Sequence, residues 1–447
     1  MRLGALHIPI QWSHGHSVPY DVFKRTGPGL LMVSSDVIVV GSGAVGLSCS
    51  YALARKGAVV HLIDAGGVAG GASRSNAGWV VPSMSEPVPS PGALRTAAKY
   101  AFKSDGPLKI GLRGVSPSYI AFLARMLSNC RRSAFSNGLE ATAALSRKAF
   151  SEFDAMQMDG IDFERHDDGI LQLFLQEQGL AAHAEDAKAM ELLGMAPAQI
   201  LSASEVRSLE PAIGKQVIGG ILNPYDQFID PASFVEALAA RCLELGVRIS
   251  THEAVGEILP GRQGIVSIVT KRSEVHRAAA VVVAAGAQSG ELLRKLGTKL
   301  PLQAGKGYGF DITRPPINFK RAIYLSDHKV AVTPLNSSLR LAGTMEFGST
   351  DLRVDDRRAA GILRAAPHYF NSWSLQKTPV AWAGLRPMTP DGLPMIGHVP
   401  GHKNVFVAAG HAMLGITLGP ITGSLLSSLI LAGEEPSELT PFDPARF

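Results

Sequence analysis

Cysteine is nearly missing from this chain: Cys49, Cys130 and Cys242 are the only three among 447 residues. No two of them stand as C-x-x-C or C-x-x-x-x-C, which excludes a dithiol redox centre. Three scattered thiols suggest neither a disulfide framework nor a zinc site, and a reducing compartment fits. Charge is sparse too, at 18% of residues with a net +5. No basic run carries interleaved aromatics, so nucleic acid is not implied, while the mild positive balance favours the approach of an anionic substrate. G-x-S-x-G, H-E-x-x-H and Walker A patterns are absent, and no internal repeat is visible. Residues 405–433 hold no Asp, Glu, Lys or Arg and are long enough to span a bilayer. Gly410, Gly415, Gly419, Pro420, Gly423 and His411 interrupt them, however. They parse better as a buried strand (VFVAA), a glycine-rich loop and a buried helix (ITGSLLSSLILAG). The rest is the composition of a globular enzyme, 46% hydrophobic, with room for two domains or one large one.

What the chain does have is DVIVVGSGAVGLSCSYALARKGAVVHLIDA, residues 36–65. DVIVV suits a buried parallel strand. Gly41, Gly43 and Gly46 form G-x-G-x-x-G: the first permits the tight turn, the second lets the backbone approach a pyrophosphate, and the third lets the helix pack on the strand. The helix then offers its free N–H groups to phosphate; it is expected from Ala44 to Lys56, with Gly57 as its stop. AVVHLI ends at Asp64, whose carboxylate accepts ribose hydroxyls and repels a 2′-phosphate, which argues against NADP. In this strand–turn–helix–strand frame the motif reads as a dinucleotide site.

Downstream, GGVAGGASRSNAGWVVPS is a small-residue loop and SEPVPSPG reads as a linker. Residues 93–160 look mostly helical, and 161–175 suggest strands. EVRSLEPAI and residues 230–246 read as helices, the latter capped by Asp230 with Pro231 at its first position. GVRIS and EVHRAAAVVVAAGAQS return to the first sheet. GYGFDIT, AIYLSD, KVAVTPL and LRLAGTMEF alternate as an antiparallel sheet. The expected fold is α/β, α+β overall: a Rossmann-like nucleotide domain (35–85, 200–298 and 376–447) with an inserted antiparallel-sheet substrate domain (86–199 and 299–375). Residues 1–34 are expected to be a disordered extension. Its His7, His14 and His16 are not expected to bind metal, and Met32 is the expected natural start.

In order along the chain, the glycine motif, GGASRSNAG, AAGAQS, WAGLRPMTPDGLPMIG and VFVAAGHAMLGITLGPITG resemble the FAD-dependent D-amino acid oxidase and dehydrogenase superfamily, over about residues 35–435. Bacterial D-amino acid and D-hydroxyproline dehydrogenases are the most similar branch, with glycine and sarcosine oxidases as cousins. The resemblance implies non-covalent FAD, since no cysteine follows Cys242 for attachment. It places Gly41, Ser42, Gly43, Ala44, Val45 and Gly46 at the pyrophosphate, and Asp64 (Glu in many relatives) at the ribose. Ser73, Arg74, Asn76, Ala77 and Gly78 lie along the phosphate, ribityl and isoalloxazine path. Val255 lies by the adenine, and Ala285 and Gly286 against the dinucleotide. Met413, Leu414, Gly415, Ile416 and Thr417 bring backbone N–H groups and a helix N-terminus to the flavin N1/O2 edge, where charge develops.

The same resemblance makes Arg386 the partner of the substrate carboxylate, work that suits a planar guanidinium. Tyr308 is expected over the substrate and His411 beside the flavin loop, where it either touches substrate or flavin or caps the loop. Lys306, Tyr324, His328 and Glu346 are secondary candidates. The implied reaction is hydride transfer from Cα of a small D-amino or imino acid to flavin N5, giving an imino acid. Electrons then pass to a quinone or other carrier, with a cytoplasmic location that includes peripheral contact with the inner membrane. Three rivals stand beside it: an NAD-dependent dehydrogenase, a glycine or sarcosine oxidase using oxygen, and a flavin-binding subunit of a larger dehydrogenase. The oligomeric state is left open.

Overall fold

The structure, a computed structural model, describes residues 35–92, 106–111, 116–261, 264–433 and 435–447. The expected N-terminal extension, with its histidines and Met32, and the expected helical stretch 93–105 lie outside the described residues.

The opening VIVV run becomes the strand Ser35–Val40, paired in parallel with Val60–Ile63 on one side and Val275–Val283 on the other. Arg248–Ser250 joins beyond Val60–Ile63, and His402–Ala409 pairs in parallel with the end of Val275–Val283. Antiparallel strands widen this sheet: Val255–Pro260 and Val266–Thr270 on the start of Val275–Val283, and Met395–Val399 on His402–Ala409. The central strands are buried on both faces, which is why they read as unbroken apolar runs. The helix Ala44–Arg55 follows the glycine turn and packs on the last helix, Gly415–Ala432. Their contact is so close that a Cβ at Gly423 would lie 2.4 Å from the Ser48 carbonyl oxygen. That last helix is long and apolar enough to cross a membrane, yet 61% of it is buried inside the protein.

The second sheet has nine strands, in the order Ala381–Met388, Gln303–Ile312, Ser338–Phe347, Val330–Leu335, Ala322–Leu325, Ile170–Phe174, Gly219–Asn223 and Gln199–Ser202, with Leu108–Ile110 beside Ser338–Phe347. Most pairs are antiparallel. Ala322–Leu325 with Ile170–Phe174, and Ser338–Phe347 with Leu108–Ile110, are parallel. One face buries Leu171, Ile323, Val332, Leu341 and Phe310 beneath the helix Asp356–Ala365. The sheets do not divide at the expected domain limits: Gly219–Asn223 and Ala381–Met388, expected in the nucleotide domain, are strands of this second sheet.

Local expectations fare unevenly. Asp230 caps Pro231–Glu244, accepting from Ala232 N (3.2 Å) and Ser233 N (3.1 Å). In EVRSLEPAI the helix is only Ala203–Leu209, stopping two residues before Pro211 and starting at a Ser202/Glu205 capping box. SEPVPSPG is fastened to the fold at its start, where Ser85 Oγ donates to Ser146 Oγ at 2.8 Å and Thr142 Oγ1 donates to the Ser85 carbonyl at 2.8 Å, while Pro91 and Gly92 at its end are exposed.

Candidate active site

The glycine turn meets its physical requirements one residue at a time. Gly41 has φ +108°, and a Cβ there would lie 2.5 Å from the Ala284 carbonyl oxygen and 2.9 Å from Ala285 Cα. This seats the turn directly on the backbone of Ala284 and Ala285. A Cβ on Gly46 would lie 1.8 Å from the Gly41 carbonyl oxygen, so helix and turn touch without side chains. At Gly43 the nearest atom is only Ser73 Oγ, at 3.0 Å. The helix has no side-chain cap at Gly43 and no acid in its first turn. Ala44 N donates to Ser73 Oγ at 2.9 Å, and Val45 lies in the same turn, beside the remaining amide donors. Asp64 Oδ2 accepts from Ser42 N (2.6 Å) and Ser42 Oγ (2.8 Å), and Oδ1 accepts from Gly66 N (2.7 Å). These bonds hold the carboxylate beside the turn. The Asp64 carbonyl accepts from Glu253 N at 2.8 Å, bringing the segment leading into Val255 alongside.

The following loop is tied down mostly by backbone. Asn76 Nδ2 donates to the Ala72 and Ser73 carbonyls, and its Oδ1 accepts from Gly78 N at 2.7 Å. Arg74 departs from expectation: its guanidinium pairs with Glu236 at the exposed surface. Only the Arg74 carbonyl turns inward, to accept from Arg340 Nη1 at 3.2 Å. Arg340 also holds the Asn76 carbonyl (3.0 Å), and Thr333 Oγ1 donates to the Ala77 carbonyl (2.8 Å). Neither Arg340 nor Thr333 was marked in the sequence.

At the far end, Gly410 and Ala412 take positive φ (+83° and +49°) to turn the chain from strand into the last helix. The helix starts at Gly415 with no side-chain cap and no acid in its first turn, and Met413 stays 58% exposed. Ile416 is buried, and Thr417 Oγ1 accepts from Val81 N and donates to the Trp79 carbonyl, both at 3.2 Å. His411 packs into the fold. It is buried and its Nε2 lies 3.0 Å from Thr422 Oγ1 inside the helix. Burial pushes its pKa down to about 3, so the ring stays neutral. Of the two expected roles, capping the loop is the one its contacts support. Two helix starts with amide donors to spare, a glycine turn and a carboxylate beside it make a cradle whose donors and acceptor fit FAD.

The second sheet supplies the opposite wall, and the alternation of GKGYGF decides which side chains reach it. Gly305, Gly307 and Gly309 share one face with Arg386 and Trp382 of the neighbouring strand. A Cβ on Gly307 would lie 2.3 Å from Arg386 Nη1, and one on Gly309 would lie 2.2 Å from the Trp382 ring. The missing side chains are the space these two occupy. Tyr308 points the other way. It is 1% exposed in the core under Asp356–Ala365, and Tyr308 Oη donates to Glu346 Oε2 at 3.0 Å. The expectation that it covers the substrate is therefore corrected. Lys306, also on that face, is buried and paired with Asp351 (3.0 Å), while His328 Nδ1 sits 3.2 Å from Tyr369 Oη.

Arg386 is the outstanding group. Its Nη1 donates to the Thr344 carbonyl at 2.9 Å, and among the described residues no carboxylate pairs with it. Enclosure in the fold lowers its pKa to about 10, the mark of a cation in need of an anion. Pro387, next in sequence, accepts from Ala412 N at 2.9 Å, which places Arg386 beside the loop before the last helix. Tyr324 rather than Tyr308 is the tyrosine on this face. Its ring meets Trp79 edge-on at 5.8 Å, and Trp79 Nε1 donates to Thr333 Oγ1 at 2.8 Å. Burial raises the Tyr324 pKa, the nearby Glu86 charge raises it further, and Arg386 opposes the shift. Glu86, from the supposed linker, is pushed up to about 7 by burial, with Asp186 adding to the rise and Lys329 opposing it.

Residues 36–429 match the DAO family, FAD dependent oxidoreductases. Over 412 residues the chain is 32% identical to a D-amino acid dehydrogenase of Methylobacterium sp., covering 90% of this chain and 96% of that protein. Over 406 residues it is 30% identical to a D-amino acid dehydrogenase of Vibrio atlanticus, covering 88% and 95%. Glycine oxidase from Geobacillus kaustophilus has the same fold, with a TM-score of 0.72 at 23% identity over 92% of this chain and 99% of that one.

Proposed function

Because the chain belongs to the DAO family of FAD-dependent oxidoreductases, we propose that it dehydrogenates a small D-amino or imino acid of the D-hydroxyproline, D-proline or D-alanine type at Cα. The product is the imino acid, and the electrons pass to a quinone or other carrier. One observation carries the reading: Arg386, enclosed and without a carboxylate of its own among the described residues, stands beside the cradle that fits FAD. Bound there, FAD supplies the two-electron acceptor for the substrate Cα–H. The chain's own residues bind and orient. Arg386 takes the substrate carboxylate in its fork, Tyr324 and Trp79 wall the site, and the uncapped start of Gly415–Ala432 offers amide donors to developing negative charge. No side chain is required as a nucleophile.

The name shared by the two curated relatives supports a dehydrogenase rather than an oxidase. The test is anaerobic mixing of the purified yellow protein with D-hydroxyproline, D-proline, D-alanine, glycine and sarcosine, following the flavin band. Bleaching by D- and not L-amino acids is expected, with slow reoxidation in air and rapid reoxidation by a quinone. Bleaching by glycine or sarcosine with fast peroxide formation replaces this reading with an amine oxidase, and a yellow protein that none of them bleaches defeats it.

A further inference from the structure

The helix Pro117–Ser128 carries two apolar stripes, where a helix that only covers a core carries one. The inner stripe is Tyr119, Phe122 and Met126. Tyr119 and Phe122 are buried with Phe347 and Met388, and Met345 and Ala412 pack against the same cluster. These contacts lie around Arg386, whose Nη1 is 3.9 Å from Met345 Sδ, and extend to the loop before the last helix. The outer stripe is Ile120, Ala124 and Leu127, spaced i, i+4, i+7 along one side of the helix. All three are exposed, Ile120 at 57% and Leu127 at 51%. Single apolar residues on a surface need no explanation. A row of them along one helix, turned away from its own core, marks a surface that something covers.

The charge around the stripe identifies what covers it. Residues 106–139 hold no Asp or Glu and five Lys or Arg. Lys109 is engaged with Glu346. Arg125, Arg131 and Arg132 are exposed and have no ion pair among the described residues. Arg131 Nε donates to the Ser128 carbonyl at 3.0 Å, which keeps its charge, and that of Arg132 beside it, at the end of the helix that carries Leu127. A second copy of the chain would bring this acid-free surface against itself. An anionic lipid surface suits both features at once. The apolar side chains enter the boundary between headgroups and acyl chains, and the arginines stay among the headgroup phosphates.

We propose that the outer face of Pro117–Ser128 is the surface by which this protein docks on an anionic lipid bilayer. The inner face of the same helix covers the strand of Arg386 and the loop ahead of Gly415. Docking therefore sets that loop about 10 Å from the lipid, one helix diameter. The docking stands apart from the reaction proposed above; its use, delivery of electrons to a carrier dissolved in the bilayer, rests on that reading.

The experiment is flotation of the flavin-loaded protein with vesicles of phosphatidylcholine containing phosphatidylglycerol, and with vesicles of phosphatidylcholine alone. The protein should float with the first, bind the second at least about tenfold more weakly, and leave the first as salt is raised. Two variants locate the contact: Ile120→Ser with Leu127→Ser, and Arg125→Gln with Arg131→Gln and Arg132→Gln. Each should weaken binding to the anionic vesicles by at least about tenfold, with the flavin spectrum and melting temperature unchanged. No flotation of the unaltered protein, a result that needs no variant, overturns the proposal. Flotation that both variants keep overturns it too, since the lipid is then held elsewhere on the surface. A dimer in sedimentation velocity that the double serine variant splits, without flotation, gives the stripe to a second copy and likewise overturns it. None of these readings uses the reaction. Vesicle binding without flavin bleaching by any amino acid upholds the docking and defeats the reaction, and bleaching without vesicle binding does the reverse.

Discussion

The two faces of the nine-stranded sheet carry the same kinds of side chain and use them in opposite ways. On the face under Asp356–Ala365, a tyrosine, a glutamate and an arginine close on one another: Tyr308 Oη donates to Glu346 Oε2 at 3.0 Å, and Arg358 Nε lies 3.3 Å from the same oxygen. On the other face the charges of Glu86 and Arg386 both act on Tyr324, yet among the described residues Arg386 has no carboxylate partner and Tyr324 Oη no hydrogen bond. The first set is satisfied by the protein and holds the fold. The second leaves its hydrogen-bonding capacity for something the chain does not contain. Residue type does not separate a structural cluster from a binding site; what separates them is whether the polar groups are already paired.

Substitutions on either face break or sharpen that contrast. Arg386→Met should lower kcat/KM on the order of a thousandfold, typical of losing a buried charge pair with substrate, in a protein that still purifies yellow with a normal melting temperature. Glu346→Leu should do the reverse. It removes the carboxylate that pairs with Arg358 in the core and should cost on the order of 3 kcal/mol by denaturant titration, while kcat/KM of the folded fraction is unchanged. Gly307→Ala should misplace the Arg386 guanidinium and cost on the order of a hundredfold in kcat/KM, read together with a raised KM. Glu86 gives a pH signature. Its folded pKa of about 7 lies above the ordinary 4.5, so the folded state holds the proton more tightly. Stability of the flavin-free protein should therefore fall as pH rises through that window, by on the order of 2–3 kcal/mol, and level off above it. Glu86→Gln should make the curve of melting temperature against pH shallower, leaving the part due to Asp226, whose carboxyl burial also pushes up to about 7. Smallest of all, Tyr308→Phe should cost about 1 kcal/mol of stability and leave kinetics within error. A large kinetic loss there would return Tyr308 to the site.

The nucleotide half was legible because its chemistry is local. Three glycines, a strand, a helix and Asp64 lie within thirty residues, and each glycine answers a steric demand visible at short range. Arg386 was legible through its motif. The substrate wall was not, because it is assembled between strands far apart in the chain: Trp79 meets Tyr324, and Arg340 reaches the Arg74 and Asn76 carbonyls. Nothing in a linear reading brings those pairs together. One part of the error was avoidable. Strict alternation in GKGYGF puts Tyr308 on the side opposite the bare glycines, and the bare side is the one that admits a large neighbour such as Arg386. Glu86 was missed for a different reason, since a run of prolines was read as a linker when its start is fastened into the fold.

The contact between Ala44–Arg55 and Gly415–Ala432 ties the glycine motif to a helix far along the chain. During synthesis the helix that packs behind the glycine turn, and the second set of amide donors at Gly415, leave the ribosome 369 residues after Gly46 (415 − 46). A nascent chain thus carries a recognisable phosphate loop without a finished receptacle around it. Loading with the flavin then waits until the last helix has been made, and termination anywhere before residue 415 should leave a product that displays the motif yet comes away colourless.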